Sequence, residues 1–175
     1  MLSIDRSKII DKNFIEFLSS EKLPKSKIDS LYMSADIPKD ELIGIFESQV
    51  LSRQIDLSAR KYKEKGICHY TISSSGHEGN AVFGKIFPLS DMAFLHYRSG
   101  AFFIERSKQF PGFSPIFDTA LSLVASKDDP ISSGRHKVFG SKELNIPPQT
   151  STIASHLPKA VGFAFSIDRG RDLKL

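Results

Sequence analysis

Apolar and polar positions alternate along the chain with a period that shifts from helical to extended and back. Near the start, Phe14, Ile15, Phe17 and Leu18 make the apolar face of a short amphipathic helix, which Ser19-Ser20 and Pro24 end. Residues 1–35 therefore read as a helical extension ahead of a domain over 36–175. After Asp36-Ile37-Pro38, Leu42, Ile45, Phe46, Val50 and Leu57 recur at helical spacing from Lys39 to Gly66, with Gly66 placed as a C′ residue. The stretch 67–75 is β-branched and then serine-rich, which predicts a strand or extended loop. Glu78 to Phe87 predicts a helix ended by Pro88, and Met92 to Leu95 a short buried strand delivering His96-Tyr97-Arg98 at its end. Helices over 101–110 and 116–126 follow, divided by Pro111 to Pro115. A long irregular stretch over 128–152 comes next, of a length that is usually functional or disordered. Ser155 or Thr152 caps a last helix through Pro158, Val161 and Phe165, and Arg171 to Leu175 reads as the opening of a strand. Helices alternating with short strands predict an α/β class, with helices around a mainly parallel sheet.

Composition narrows the class. The 175 residues are 40% hydrophobic and 25% charged, which argues for a folded domain with a core of its own. The net charge of +4 is scattered. Its densest patch, Arg60 to Lys65, lies at a helix end where cations complement the dipole, so no nucleic acid is expected as a partner. One cysteine, Cys68, precludes an intrachain disulfide and suits a reducing compartment. The segment 1–12 mixes charged with apolar residues, unlike a signal peptide, and no apolar run is long enough for a membrane span. No membrane partner is expected, and a cytoplasmic location is.

Four islands could carry chemistry. Tyr97-Arg98 at a strand end suits an anion, because the guanidinium is a fork of donors matched to phosphate oxygens and the phenol adds a directed hydrogen bond. A packed ring beside a surface charge is the plainer account of the same dipeptide. His136 lies between Arg135 and Lys137, two cations that favour the neutral imidazole and suit it to act as a base; a solvated loop histidine is the alternative. His77-Glu78 at a helix start is explained by capping alone. Thr150, Ser151, Thr152 and Ser155 are a hydroxyl-rich cluster of the kind that builds turns and caps. The histidines and the cysteine have no zinc-ligand spacing, and no glycine-rich phosphate loop or serine-hydrolase elbow is present.

Taken in order, these islands change the picture. Leu51-Ser52-Arg53, Ser75-Gly76-His77-Glu78-Gly79, Asp91 to Arg98, Gly134-Arg135 and Ser155-His156-Leu157-Pro158-Lys159-Ala160-Val161-Gly162-Phe163-Ala164 follow one another as motifs of a single framework. From Tyr32 to Asp168 the chain resembles the alpha part of thiamine-diphosphate-dependent 2-oxo acid dehydrogenases, the decarboxylating components of the pyruvate and branched-chain complexes. One departure is His156, which stands where the family usually has Gln.

The resemblance implies the N-terminal portion of a thiamine-diphosphate-binding α/β fold and assigns roles by position. Tyr97 and Arg98 would hold the cofactor's diphosphate, Ser151 would lie beside the cofactor, and the backbone of Ile153 would face the aminopyrimidine. Thr150 and Ser155 fall where relatives place oxygens around a structural monovalent cation. His136 falls in the loop that carries an active-site histidine. The family's Gly-Asp-Gly and a later Asn, which bind Mg2+ across the diphosphate, are expected downstream of Leu175. Also implied as partners are a beta part, separate or fused as a continuation, and a lipoyl-bearing acyltransferase. The activity implied is oxidative decarboxylation of a 2-oxo acid with acyl transfer to the lipoyl arm. The alternative is a non-catalytic remnant or interaction module that pairs with an intact relative.

Overall fold

The computed structural model of the protein describes residues 4–22, 37–69 and 72–172. Its contacts fall into two units, Met1–Lys39 and Asp40–Leu175. In the first, α1 (Arg6–Ser19) is an amphipathic helix whose Ile9, Ile10, Phe14, Ile15 and Leu18 are exposed. Pro24 and Asp36, expected to end one helix and introduce the next, lie outside the described residues.

In the second unit the long helix predicted from Lys39 forms as α2 (Lys39–Glu64). Its C-terminus closes as a Schellman turn: Ile67 N donates to Tyr62 O at 2.9 Å, Gly66 N donates to Lys63 O at 2.9 Å, and Gly66 takes φ +70° as the C′ residue. The buried stripe of α2 is not the apolar one. Ser48, Ser52, Asp56 and Ala59 face inward, while Leu42, Phe46 and Val50 stay exposed. Small side chains let the neighbouring backbone come close: a Cβ on Gly100 would stand 2.7 Å from Ser52 Oγ. Ser48 Oγ also donates to Glu105 Oε2 at 2.6 Å, which explains a hydroxyl on the buried face.

The helix predicted over 78–87 begins as a 3-10 turn, Glu78–Asn80, and continues as α3 (Ala81–Ile86). Next come α4 (Gly100–Ser107) and α5 (Pro115–Leu123), both shorter than their patterns suggest. Every residue of α4 is buried, including Glu105 and Arg106. Phe102 and Phe103 of α4 build the core with Leu95, Phe139, Leu144 and Ile146. The last helix, α6, spans His156–Asp172. It carries Arg171 and Asp172 as helix where a strand opening was expected; basic Arg169 and Arg171 in its last turn favour that continuation. Residues 173–175 lie outside the described residues.

Neither segment read as a strand is paired among the described residues. Residues 92–96 have no regular secondary structure and are tied at one point by Ala93 N donating to Asn145 O at 3.0 Å. Of the stretch 67–75, residues 70 and 71 lie outside the description and the rest is turn and coil. One isolated antiparallel bridge, Ser141 to Ile146, is the β pairing found among the described residues. The expected parallel sheet is thus not assembled by these residues. Extended segments without neighbours have no ladder to join.

Candidate functional site

The segment 92–96 leads through a turn at Tyr97-Arg98 into α4. His96 N donates to Ser99 Oγ at 3.2 Å, and Arg98 N donates to His96 Nδ1 at 3.3 Å, so this short turn fixes the imidazole. The Arg98 guanidinium donates to Ser73 O and lies over the Tyr97 ring, its central carbon 5.2 Å from the ring centroid. Tyr97 and Arg98 are therefore held together and half-buried.

Two residues without a sequence assignment to the ligand join them. The His77 ring stacks on His96 with centroids 5.8 Å apart, and the His156 ring meets His96 at 5.5 Å. Three imidazoles, each from a different part of the chain, thus cluster around His96, whose Nδ1 accepts from Arg98 N. Burial, with the neighbouring His156, His77 and Arg98, pushes the His96 pKa below its ordinary value. His156 comes from the first residue of α6, whose N-terminal end is itself electropositive. The signal for this gathering lay in the islands themselves, since each contributes one histidine; the ring-to-ring approach did not.

A second grouping forms within the long stretch 128–152. His136 Nε2 and Ser151 Oγ are 3.0 Å apart, a hydrogen bond across a loop of 15 residues. Thr150 Oγ1 and Ser155 Oγ lie 3.3 Å apart and satisfy each other. Ile153 is 76% exposed just ahead of α6, so its backbone is reachable. Lys137, expected to flank His136 as a second cation, instead turns inward. Its ammonium sits 5.4 Å from the Phe139 ring centroid, and burial lowers its pKa against the opposing pull of Asp56. Asp56 accepts from Ser73 Oγ at 3.0 Å and from Ser74 N at 2.8 Å, which anchors the carbonyl that Arg98 grips to α2.

The loop before His136 is shaped by Asp129. Its carboxylate accepts from Ile131 N at 3.2 Å, Ser132 N at 3.2 Å, Ser132 Oγ at 2.6 Å and Gly134 N at 3.3 Å. Burial opposes the charge, but those hydrogen bonds outweigh it and hold the pKa below the ordinary value. A depressed folded-state pKa contributes stability above the unfolded value, about 3.9, which is lost as pH falls through the folded one. Asp129→Asn should therefore cost about 1 kcal/mol near neutrality, and that deficit should shrink on acidification below about pH 4. Urea unfolding of both proteins between pH 6 and pH 2 tests it; a deficit constant with pH would refute the account.

Among the described residues, no group of three His, Cys, Asp or Glu side chains is arranged to hold a metal ion. Nor is any helix there long and apolar enough to cross a membrane. The chain matches no protein-family profile, no curated protein and no solved structure.

Proposed function

We propose that this chain is the alpha part of a thiamine-diphosphate-dependent 2-oxo acid dehydrogenase, binding the cofactor's diphosphate at Tyr97 and Arg98. The observation that carries this reading is the cluster around His96, whose ring lies 3.8 Å from the Tyr97 ring and meets His77 at 5.8 Å and His156 at 5.5 Å, with Arg98 over Tyr97. A lining of imidazole, guanidinium and phenol is rich in donors and suited to phosphate oxygens. Glu78, next to His77 in the chain, accepts from Gly76 N at 2.7 Å.

In this reading Arg98 and Tyr97 hold the terminal phosphates, and Ser151 and the Ile153 backbone hold the remainder of the cofactor. When bound, the cofactor supplies the electron sink for decarboxylation of the 2-oxo acid. The chain's own contribution is to orient. Ser151 Oγ meets His136 Nε2 at 3.0 Å, so the proton that His136 is placed to move is the one shared with that hydroxyl. Donors for the diphosphate are present, whereas a divalent cation finds no ligand group among the described residues, so its ligands are assigned to a continuation or a partner. The segment 92–96 is proposed as a strand of the α/β sheet, paired once the beta part and the rest of the sheet are supplied. A lipoyl-bearing acyltransferase is the proposed acceptor, and the cytoplasm the proposed location.

Calorimetric titration of thiamine diphosphate with Mg2+ into the full chain tests the reading. Wild type should bind, and Arg98→Ala should bind at least about ten-fold more weakly, the loss of one charge-assisted contact. Absence of binding by wild type, or unchanged binding by the variant, overturns the assignment.

A further inference from the structure

We propose that Lys137 is a carbon dioxide site: its Nζ takes up CO2 as a carbamate whose two oxygens fill two small hollows, each presenting a buried serine hydroxyl without a partner. Lys137 and these hollows have no part in the cofactor reading, which stands or falls separately.

The two hollows meet at Lys137. One is lined by Ser52 and Asp56 of α2 with Lys137 and Phe139, the other by Asp118 and Ser122 of α5 with the same two residues. Each has a cavity volume of about 10 Å³, room for one oxygen-sized group. Ser52 and Ser122 are 3% and 8% exposed, and neither Oγ has a hydrogen-bond partner. Buried hydroxyls are seldom left so, because an unmet polar group keeps its full desolvation cost. Thr119 lines both hollows as well, but its hydroxyl is committed, donating to Pro115 O at 2.7 Å. The Lys137 amine finds an aromatic face, 5.4 Å from the Phe139 ring centroid. A carbamate matches this set. It is planar and carries two oxygens on the carbon bonded to Nζ, one for each hollow, to accept from Ser52 Oγ and Ser122 Oγ.

The step balances within the site. The lone pair of the neutral amine forms an N–C bond to CO2, and one C–O π bond opens to the oxyanion. An N–H proton is taken up across the shared hollow by Asp56 at Oδ1, the oxygen not engaged by Ser73 and Ser74. Burial lowers the Lys137 pKa and raises that of Asp56, which favours the neutral amine before the step and the protonated acid after it. Of the other acids at the hollows, Asp118 is pushed up by burial with Asp129 and Glu143 behind it, and Asp129 is held by its loop donors. Lys137 keeps partial exposure, so CO2 reaches it without crossing the core.

The test is trapping. The full chain is equilibrated at neutral pH with isotope-labelled bicarbonate, carbamates are fixed by ethylation with a trialkyloxonium salt, and labelled lysines are located by peptide mass spectrometry. The exposed Lys127 serves as reference in the same digest. Ser52→Ala and Ser122→Ala each remove one donor and keep the amine, and as smaller residues losing no hydrogen bond they leave the fold intact. Lys137 should carry label well above Lys127, and each serine variant should lower its occupancy about ten-fold, the loss of one hydrogen bond to a charged group. Label at Lys137 no higher than at Lys127 overturns the proposal, and each hollow is then the seat of an ordered water. Equal label in wild type and both variants overturns it too, since the carbamate would then stand in solvent and not in the hollows. Thiamine diphosphate binding, measured separately, decides the cofactor reading whichever way the label falls.

Discussion

Arg106→Met is expected to lower the free energy of unfolding by about 3 kcal/mol or more, among the largest effects of any single change in this chain. The side chain is wholly buried, and its guanidinium spends its donors on three main-chain carbonyls. Nε donates to Leu144 O at 2.8 Å, Nη1 to Phe87 O at 3.3 Å and Nη2 to Asp91 O at 2.5 Å. Burial lowers its pKa, with Asp91 opposing, yet an arginine so far above neutrality stays charged. Methionine matches the stem but leaves the buried Leu144 carbonyl and the part-buried Asp91 carbonyl without these donors, each a desolvation cost of about 1–3 kcal/mol less whatever relaxation recovers, while Phe87 O keeps the bond from Gln109 Nε2 at 3.0 Å. Those carbonyls belong to the segment just before residues 92–96 and to the turn 141–146, so the clamp also sets the entry to the His96 turn. Arg106→Lys should fall between, because an ammonium keeps the charge but not the fork. Urea denaturation gives the readout. A loss below about 1 kcal/mol at unchanged slope would mean that the carbonyls find other donors and that the clamp is dispensable.

Arg106 also marks where reading by pattern stops. The helices were legible, because their apolar positions recur every three or four residues and Pro and Gly punctuate them. Gly66 in particular occupies the left-handed position that its place after α2 suggested. What escaped the pattern was burial of the wrong-looking residues. Glu105 and Arg106 sit in the core because each meets its partners there, Ser48 Oγ and Lys108 Nζ for the acid, three carbonyls for the base. The buried stripe of α2 is serine and alanine because close backbone approach, not apolar area, decides that contact. A hydropathy pattern assigns such positions to solvent. Strands failed to show for a different reason: an extended run needs a paired neighbour, and 92–96 has one tie to Asn145 among the described residues.

The candidate site was legible in its members and not in its assembly. Tyr97 and Arg98 were singled out and do lie together, and His136 and Ser151, chosen separately, meet at 3.0 Å. The first pair is consecutive in the chain, but the second does not follow from spacing, since fifteen positions separate its members and a loop of that length can close in many ways. The imidazole gathering was hidden more deeply. His77, His96 and His156 belong to three islands whose order suggested ancestry, while each alone had an ordinary explanation.

Gly134→Ala should be the most damaging change in the loop that carries His136, with a loss of about 3 kcal/mol, and a matched control separates its causes. Gly134 has φ +76°, a conformation that costs an alanine about 1 kcal/mol or slightly more by itself. It also lacks room: a Cβ would stand 2.3 Å from Ala125 O and 2.8 Å from Ser126 O. Both are backbone atoms at the end of α5, so relief requires moving the chain, a strain of about 1–3 kcal/mol. Gly112 has φ +87° with nothing within 4 Å of the same hypothetical Cβ, so Gly112→Ala carries the conformational term alone. Unfolding measurements should therefore place Gly134→Ala well below Gly112→Ala. The displacement has a local consequence too. Gly134 N is one of the donors to Asp129, and His136 N and O both bond to Ser132 Oγ, so shifting residue 134 loosens the bracket that presents His136 to Ser151. Faster amide exchange over 131–137 in Gly134→Ala, and not in Gly112→Ala, would trace that loosening. Equal losses in the two variants would mean that the Ala125 carbonyl gives way at little cost, and that the loop holding the candidate base is positioned by Asp129 without help from this close contact.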